Sequence, residues 1–346
     1  LSLPICFRGN LKPRTGYGTI PENLGRAVES LGHPVTFDDY GHNLHFHQLP
    51  PYVESRLHGF GPVRCAVHCA PPDVMFDPSD PTIFLTMWES SRPPINGAAH
   101  MNHALAVVVP CRWNADNFRA AGVTRPIHLM PLAIDTEAFT GQPRPLDSPT
   151  VFGMAARLVA GGCRKGLNEG MRAFADAFGP DEPVELRVRV WDDDLPFLDA
   201  PPDPRITVQT DPVPQAGLAG WYHGLTCLFV PSKGEGFGLH TLEAMACGVP
   251  VIAARYGGTA EFFDAESGWE LAFDEVPATG LYEGCGLWAE PRHGAMVRAL
   301  QQVHRQRSVA TAKGLHAATV AATYTWDRAA RTLLGVIDAM TAGTPA

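Results

Sequence analysis

Short apolar runs recur along the chain, and between them apolar positions return every three or four residues. Runs of four to eight apolar residues bounded by turn formers read as buried strands, and the 3.6-residue period between them reads as crossover helices. In the first half the runs predict strands near Leu3 to Phe7, Val35 to Phe37, Val63 to His68, Ile83 to Trp88, Leu105 to Val109 and Ile127 to Pro131. In the second half they predict strands near Val151 to Met154, Val184 to Val190, Ile206 to Gln209, Cys227 to Val230 and Val251 to Ala254. Continuous apolar strands alternating with helices imply an α/β chain built on parallel sheets.

The clearest helix runs from Pro21 to Leu31. Thr19 is placed to cap it, Pro21 suits its first turn, and Ile20, Leu24, Ala27, Val28 and Leu31 share one face before Gly32 ends it. Between the halves, Thr140 to Pro149 carries Gly141, Pro143, Pro145 and Pro149 with few apolar residues, which is the composition of a linker. A chain of 346 residues exceeds what one core comfortably serves, so two domains are expected, divided at 143/144. No fixed-period repeat appears, so the two halves share architecture rather than sequence.

Composition narrows the classes. With 45% hydrophobic and 18% charged residues the chain can bury a full core, and a net charge of −9 argues against a dedicated polyanion binder. No stretch approaches the roughly 18 apolar residues of a membrane span, and the first residues lack a leader pattern, which fits a cytoplasmic enzyme. The eight cysteines are scattered, several within apolar runs, and read as reduced packing residues.

The most informative stretch is Pro231-Ser-Lys-Gly-Glu-Gly-Phe-Gly-Leu-His-Thr-Leu-Glu-Ala-Met-Ala-Cys-Gly-Val-Pro-Val-Ile252. It reads as a strand end, a glycine-rich turn, a helix and the next buried strand. Gly234, Gly236 and Gly238 let backbone approach a ligand, and the helix beginning near Leu239 aims N–H groups and a positive dipole end at an anion such as phosphate. Glu235 and Glu243 flank that position, and carboxylates accept hydrogen bonds from the hydroxyls of a sugar and a ribose. Those features together describe a nucleotide-sugar site.

This stretch resembles the donor-binding signature of the family-four retaining glycosyltransferases: two glutamates with seven residues between them, the Gly-Phe-Gly-Leu turn, and Glu-Ala-Met-Ala followed by Gly-Val-Pro-Val. The resemblance implies the GT-B architecture, two Rossmann-like domains with parallel sheets facing across a cleft. It further implies that Glu235 contacts the transferred sugar, that Gly236, Phe237, Gly238 and Leu239 bind the diphosphate through backbone, and that Glu243 holds the ribose. Val151 to Leu167 is similar to the family's first strand and loop of the nucleotide-binding domain, which assigns Arg157 and Lys165 to the leaving diphosphate. Two fixed cations there imply an enzyme needing no divalent metal and no cofactor. Arg164, between them, takes no role from the pattern. The segment from Tyr324 to Ile337 resembles the closing helix that crosses back, so the first domain is expected to comprise 1–143 and 325–346 and the second 144–324.

The first half matches more loosely. Thr15-Gly16-Tyr17-Gly18 resembles the glycine loop facing the donor phosphates, giving Gly16 and Gly18 a donor contact and Tyr17 a sugar or acceptor contact. Asp135 reads as a structural turn residue. At Thr86-Met-Trp-Glu89 the family commonly carries a His where Trp88 stands; Trp88 can stack on a sugar, and Glu89 can accept hydroxyls or act as a base toward the acceptor. Trp191-Asp-Asp-Asp194 contains an Asp-x-Asp pattern, read as a solvated loop rather than a manganese site. His42, His45 and His47 read as exposed or packed imidazoles rather than a metal cluster, because alternation separates His42 from the other two.

The resulting expectation is a metal-independent hexosyltransferase taking a UDP- or GDP-linked donor to an acceptor hydroxyl, a hydroxylated nucleobase among the possible acceptors. Front-face attack, assisted by the leaving phosphate, is the expected retaining chemistry. A non-catalytic nucleotide-sugar or glycan-binding protein, and a phosphorylase or epimerase on the same fold, are the competing readings.

Overall fold

A computed structural model describes residues 2–11, 16–40, 49–58, 61–77, 79–141, 148–158, 162–211 and 215–342. Among the expectations, Thr15, most of the linker and the residues His42, His45 and His47 lie outside the described residues. The chain folds as two compact units, Leu1–Ala133 with Tyr324–Ala346 and Ile134–Thr323. The division falls at Ile134 rather than in the proline-rich segment because Phe139 packs edge-on against Tyr222 and the Thr140 carbonyl meets His223 Nε2 at 2.8 Å. Asp135 closes that turn, its Oδ1 accepting from the N–H groups of Glu137 and Ala138.

The first unit comprises β1 (Ile5–Gly9), α1 (Gly16–Ser30), β2 (Val35–Asp39), α2 (Pro51–Glu54), β3 (Cys65–Cys69), β4 (Thr82–Leu85), α3 (Gly97–Met101), β5 (Ala106–Val109), α4 (Arg112–Ala120) and β6 (Ile127–Leu129). Its six strands run parallel in the order β2-β1-β3-β4-β5-β6. β3, β4 and β5 are buried along their whole length, as apolar strands in the middle of a helix-covered parallel sheet must be. The strand expected to reach Trp88 ends at Leu85. A final helix, Trp326–Thr341, belongs to this unit: Thr325 caps it by accepting from the Arg328 N–H, and its buried face of Ala330, Leu333 and Ile337 packs on α1.

The second unit comprises β7 (Thr150–Ala155), α5 (Leu167–Ala177), β8 (Val184–Arg189), β9 (Ile206–Gln209), α6 (Gln215–His223), β10 (Cys227–Val230), α7 (Leu239–Ala246), β11 (Val251–Ala253), β12 (Gly268–Glu270), β13 (Phe273–Pro277), β14 (Leu287–Pro291), α8 (His293–Arg305) and α9 (Arg307–Ala321); the helix Trp326–Thr341 is therefore α10. Six parallel strands form the order β12-β11-β10-β7-β8-β9, and β13 and β14 form a separate antiparallel hairpin. No apolar run announces that hairpin, since β13 is Phe-Asp-Glu-Val-Pro and mostly exposed. Seven cysteines are buried as expected, whereas Cys163 is exposed, because the turn that carries it bears short polar and charged neighbours rather than an apolar run.

Chain order in the second sheet reverses between β7 and β10, the topological switch point at whose carboxyl edge open α/β sheets bind ligands. That edge is closely packed: a Cβ on Gly258 would lie 2.2 Å from Phe237 Cα and 2.4 Å from the Gly236 carbonyl oxygen. Backbone cannot yield there, so Gly258→Ala is expected to cost about 1–3 kcal/mol in urea denaturation. Gly335→Ala, at an open and exposed position of α10, should instead stabilise by up to about 1 kcal/mol.

Candidate active site

Two chain segments leave neighbouring strands at the switch point. β7 runs out through Arg157 toward a 3-10 turn, Gly162–Lys165, and β10 runs out through Pro231 to Gly238 into α7. Gly166 brings them together: with φ of 64°, it sits so close to Pro231 that a Cβ would lie 2.2 Å from the Pro231 carbonyl oxygen. The contact is sealed by backbone, the Lys233 N–H donating to the Arg164 carbonyl at 2.8 Å.

This packing places Glu235 between two cations. Lys165 Nζ donates to both carboxylate oxygens, at 2.7 and 2.9 Å. Arg164 lies 3.4 Å from Glu235 Oε2 and donates to the Gly234 carbonyl. Glu235 is only 7% exposed, and burial alone would push its carboxyl up; Lys165 and Arg164 outweigh burial and hold it far below the usual carboxylate range. Arg164, unassigned from the sequence, is thus part of the charge balance. Its position beside Lys165 was the available signal.

Glu243, one turn along α7, has the opposite environment. Its partner is the Tyr222 hydroxyl of α6, which donates to Oε2 at 2.8 Å, and burial pushes its carboxyl up to about 7. Tyr222 is buried and sits in an apolar helix, so its sequence reads only as core. His240, in the first turn of α7, is pushed down to about 4 by burial, against the pull of Glu235, and is neutral at physiological pH. The two glutamates therefore differ in charge and partner, one fully ionised and one poised near neutrality.

Gly236, Phe237 and Gly238 are buried, and Phe237 packs at a tilt against Phe262 with ring centroids 5.1 Å apart. Gly238 occupies the N-cap position with no side-chain cap, leaving the first-turn N–H groups from Leu239 onward on the edge where an anion is favoured.

Arg157 does not join the Lys165–Glu235 pair. Its guanidinium grips Asp193 through two bonds of 2.5 and 2.9 Å, lies 3.4 Å from Asp194 and sits over the Trp191 ring at 5.5 Å. The segment expected as a solvated loop is instead a 3-10 turn, Asp192–Phe197, with Asp194 fully buried. Asp194 accepts from the Leu158 and Trp191 N–H groups, so backbone donors rather than water compensate its burial. No group of metal-ligating side chains occurs among the described residues.

In the first unit, Gly16, Tyr17 and Gly18 form the opening turn of α1 rather than a loop. The helix starts earlier than Pro21, which therefore lies inside it as its sixth residue. Tyr17 is engaged with the end of β4: its hydroxyl donates to the Met87 carbonyl at 2.7 Å and accepts the Met87 N–H at 3.0 Å. Trp88 is 8% exposed, with its backbone N–H donated to Asn114 Oδ1, and Asn114 in turn donates to Cys111 Sγ. Tyr17 and Asn114 thus fix the segment carrying Trp88 and the half-buried Glu89.

Comparison with known proteins agrees with this geometry. Residues 199–333 match the family described as family 4 glycosyltransferase in conflict systems. A D-inositol 3-phosphate glycosyltransferase of Acidothermus cellulolyticus is 32% identical over 209 residues, covering 56% of this chain and 44% of that protein. One of Kribbella flavida is 35% identical over 133 residues, covering 35% and 27%. The chain thus matches less than half the length of these curated relatives. Among solved structures, sucrose-phosphate synthase from Thermosynechococcus elongatus superposes with a TM-score of 0.73 at 15% identity, covering 99% of this chain and all of that one. WaaG, a glycosyltransferase of lipopolysaccharide biosynthesis, superposes with a TM-score of 0.69 at 14% identity over 98% of this chain and all of its own. Residues 199–333 thus resemble family 4 glycosyltransferases, and the two parallel six-stranded sheets together with the superposed structures give the chain the GT-B architecture.

Proposed function

We propose that the chain is a retaining glycosyltransferase that moves a hexose-type sugar from a UDP- or GDP-linked donor to an acceptor hydroxyl. The observation that carries this reading is the buried, ionised Glu235 held by Lys165 and Arg164 at the switch point, beside the N-terminus of α7. A carboxylate in that state accepts hydrogen bonds from sugar hydroxyls, and the adjoining cations and helix dipole meet a diphosphate. A solved Anabaena relative in fold, 13% identical, is in complex with UDP and glucose.

In this mechanism the bond between the anomeric carbon and the diphosphate oxygen breaks, and its electron pair goes to the departing diphosphate. Lys165, Arg164 and the α7 N–H groups stabilise that charge, so no divalent cation or cofactor is required. Arg157 adds to the same field but is partly neutralised by Asp193. The acceptor oxygen attacks the oxocarbenium-like carbon from the face the leaving group vacates, and its proton passes to the leaving phosphate, which preserves anomeric configuration.

A second reading, a donor-binding protein without turnover, draws on Trp88. Its ring is buried where the family's usual His would stand, and sugar transfer to an acceptor separates the two.

Thermal unfolding with UDP, GDP, ADP and CMP and their sugar conjugates tests the donor site. One base should stabilise the native protein by roughly 2.7 kcal/mol at a hundred times its dissociation constant and leave Arg157→Ala/Lys165→Ala unmoved; no stabilisation by any of them would count against the donor reading. A pH series tests Glu243. Ribose hydroxyls need its carboxylate, whose pKa is raised to about 7, so affinity is full above that pH and lost as pH falls through it. Titrating UDP-glucose, or GDP-mannose if guanine is the base, should show about tenfold weaker binding at pH 6 than at pH 8. Tyr222→Phe, which removes a donor favouring the charged form, should move the midpoint upward, and Glu243→Gln should flatten the profile. A flat profile in the native protein contradicts the assignment.

A further inference from the structure

The β13–β14 hairpin holds the Glu235 cluster from outside the signature. β14 reaches the strand exit directly: the Ala289 N–H donates to the Lys233 carbonyl at 2.7 Å, and Glu290 accepts from Lys233 Nζ at 2.6 Å. Lys233 also lies over the Trp288 ring at 5.8 Å, so its backbone and side chain are both engaged immediately before Gly234 and Glu235. Tyr256 engages both ends of the hairpin, its ring packing on Phe273 at the root and its hydroxyl donating to the carbonyl of Leu287, which pairs with Pro277 next to the tip. Its tip, the 3-10 turn Gly280–Tyr282, rests near the Cys163–Lys165 segment, with a Cβ position on Gly280 only 3.6 Å from Cys163 Sγ.

At that tip Tyr282 is 7% exposed and packs against Trp288, and the Arg164 guanidinium lies 5.5 Å from its ring centroid. Arg164 is itself 9% exposed, so its remaining faces are closed by protein. A desolvated guanidinium over an aromatic face is held more firmly than an exposed one. Arg164 connects in the other direction to the Gly234 carbonyl and Glu235 Oε2.

Resting on the donor-site reading above, we propose that Tyr282 is a positioning residue: its ring fixes Arg164 against Gly234 and Glu235, and thereby sets the aim of Glu235 at the transferred sugar. The hairpin is then a wall of the donor site. Because Glu235 faces the sugar and not the nucleotide, Tyr282 governs the affinity that the sugar adds to the nucleoside diphosphate. A merely structural hairpin would affect both ligands alike.

The test compares the full chain with Tyr282→Phe, which keeps the aromatic face, and Tyr282→Leu, which keeps apolar bulk without it. Calorimetric titration with UDP and UDP-glucose, or GDP and GDP-mannose if guanine is the base, gives the ratio of the two dissociation constants. NMR exchange of the Arg164 Nε proton, with no ligand, reports directly on the grip. The Leu variant should lose about tenfold in the sugar's increment and in protection of the Arg164 proton, while the Phe variant keeps both and the melting temperatures of the two variants agree. Equal Arg164 protection in all three proteins overturns the Tyr282–Arg164 link. Equal weakening of nucleotide and nucleotide sugar in the Leu variant overturns the positioning role. If the native protein binds no nucleotide sugar while the Leu variant still frees Arg164, the donor reading falls and the role at the sugar falls with it.

Discussion

A carboxylate taken out of water is costly unless cations and hydrogen bonds compensate it, and the second unit is organised around that constraint at Glu235. Lys165 and Arg164 can compensate it only if the turn after β7 touches the exit of β10. That contact needs a residue without a side chain at Gly166, against the Pro231 carbonyl. Gly258 plays the same part on the other side, where its N–H donates to the Glu235 carbonyl at 2.7 Å. Two glycines outside the Pro231–Ile252 stretch therefore serve the charge balance within it. The hairpin extends it outward, through Lys233 on one side and Arg164 on the other.

The same helix carries a second carboxylate under different rules. Glu243 has a hydroxyl partner in Tyr222, but burial dominates and its proton is retained to near-neutral pH. Two glutamates with seven residues between them thus offer two kinds of acceptor: one charged at every physiological pH, the other titratable. That division suits a ligand whose two hydroxyl-bearing parts lie on either side of a diphosphate, and it could not be read from spacing alone.

Apart from the edge strand β12, Gly268–Glu270, whose three residues form no apolar run, both sheets were legible, because buried parallel strands leave an unmistakable pattern: Cys227–Val230 and Val251–Ala253 follow the expected runs almost residue for residue. The Glu235 stretch was legible because its glycines and carboxylates have few uses other than an anion and hydroxyl site. Features that depend on three-dimensional compensation were not. Asp194 looks solvated in sequence and is buried because backbone N–H groups meet it, and Tyr222 looks like core until its hydroxyl is seen to face Glu243. The hairpin escaped notice because Phe273–Pro277 alternates poorly and lies largely in solvent. In the first unit, Tyr17 and Trp88 carry ambiguous signals, and their bonds to Met87 and Asn114 show them serving the strand end itself.

The compensation of Glu235 is the claim on which the rest stands, and a double-mutant cycle in urea denaturation of the ligand-free protein tests it most directly. Lys165→Met alone should cost about 3 kcal/mol, because it strips a buried carboxylate of its closest counter-charge, whereas Lys165→Met combined with Glu235→Gln should recover most of that loss. Costs that are small and simply additive would contradict the account, for Glu235 would then not be a buried charge that Lys165 sustains.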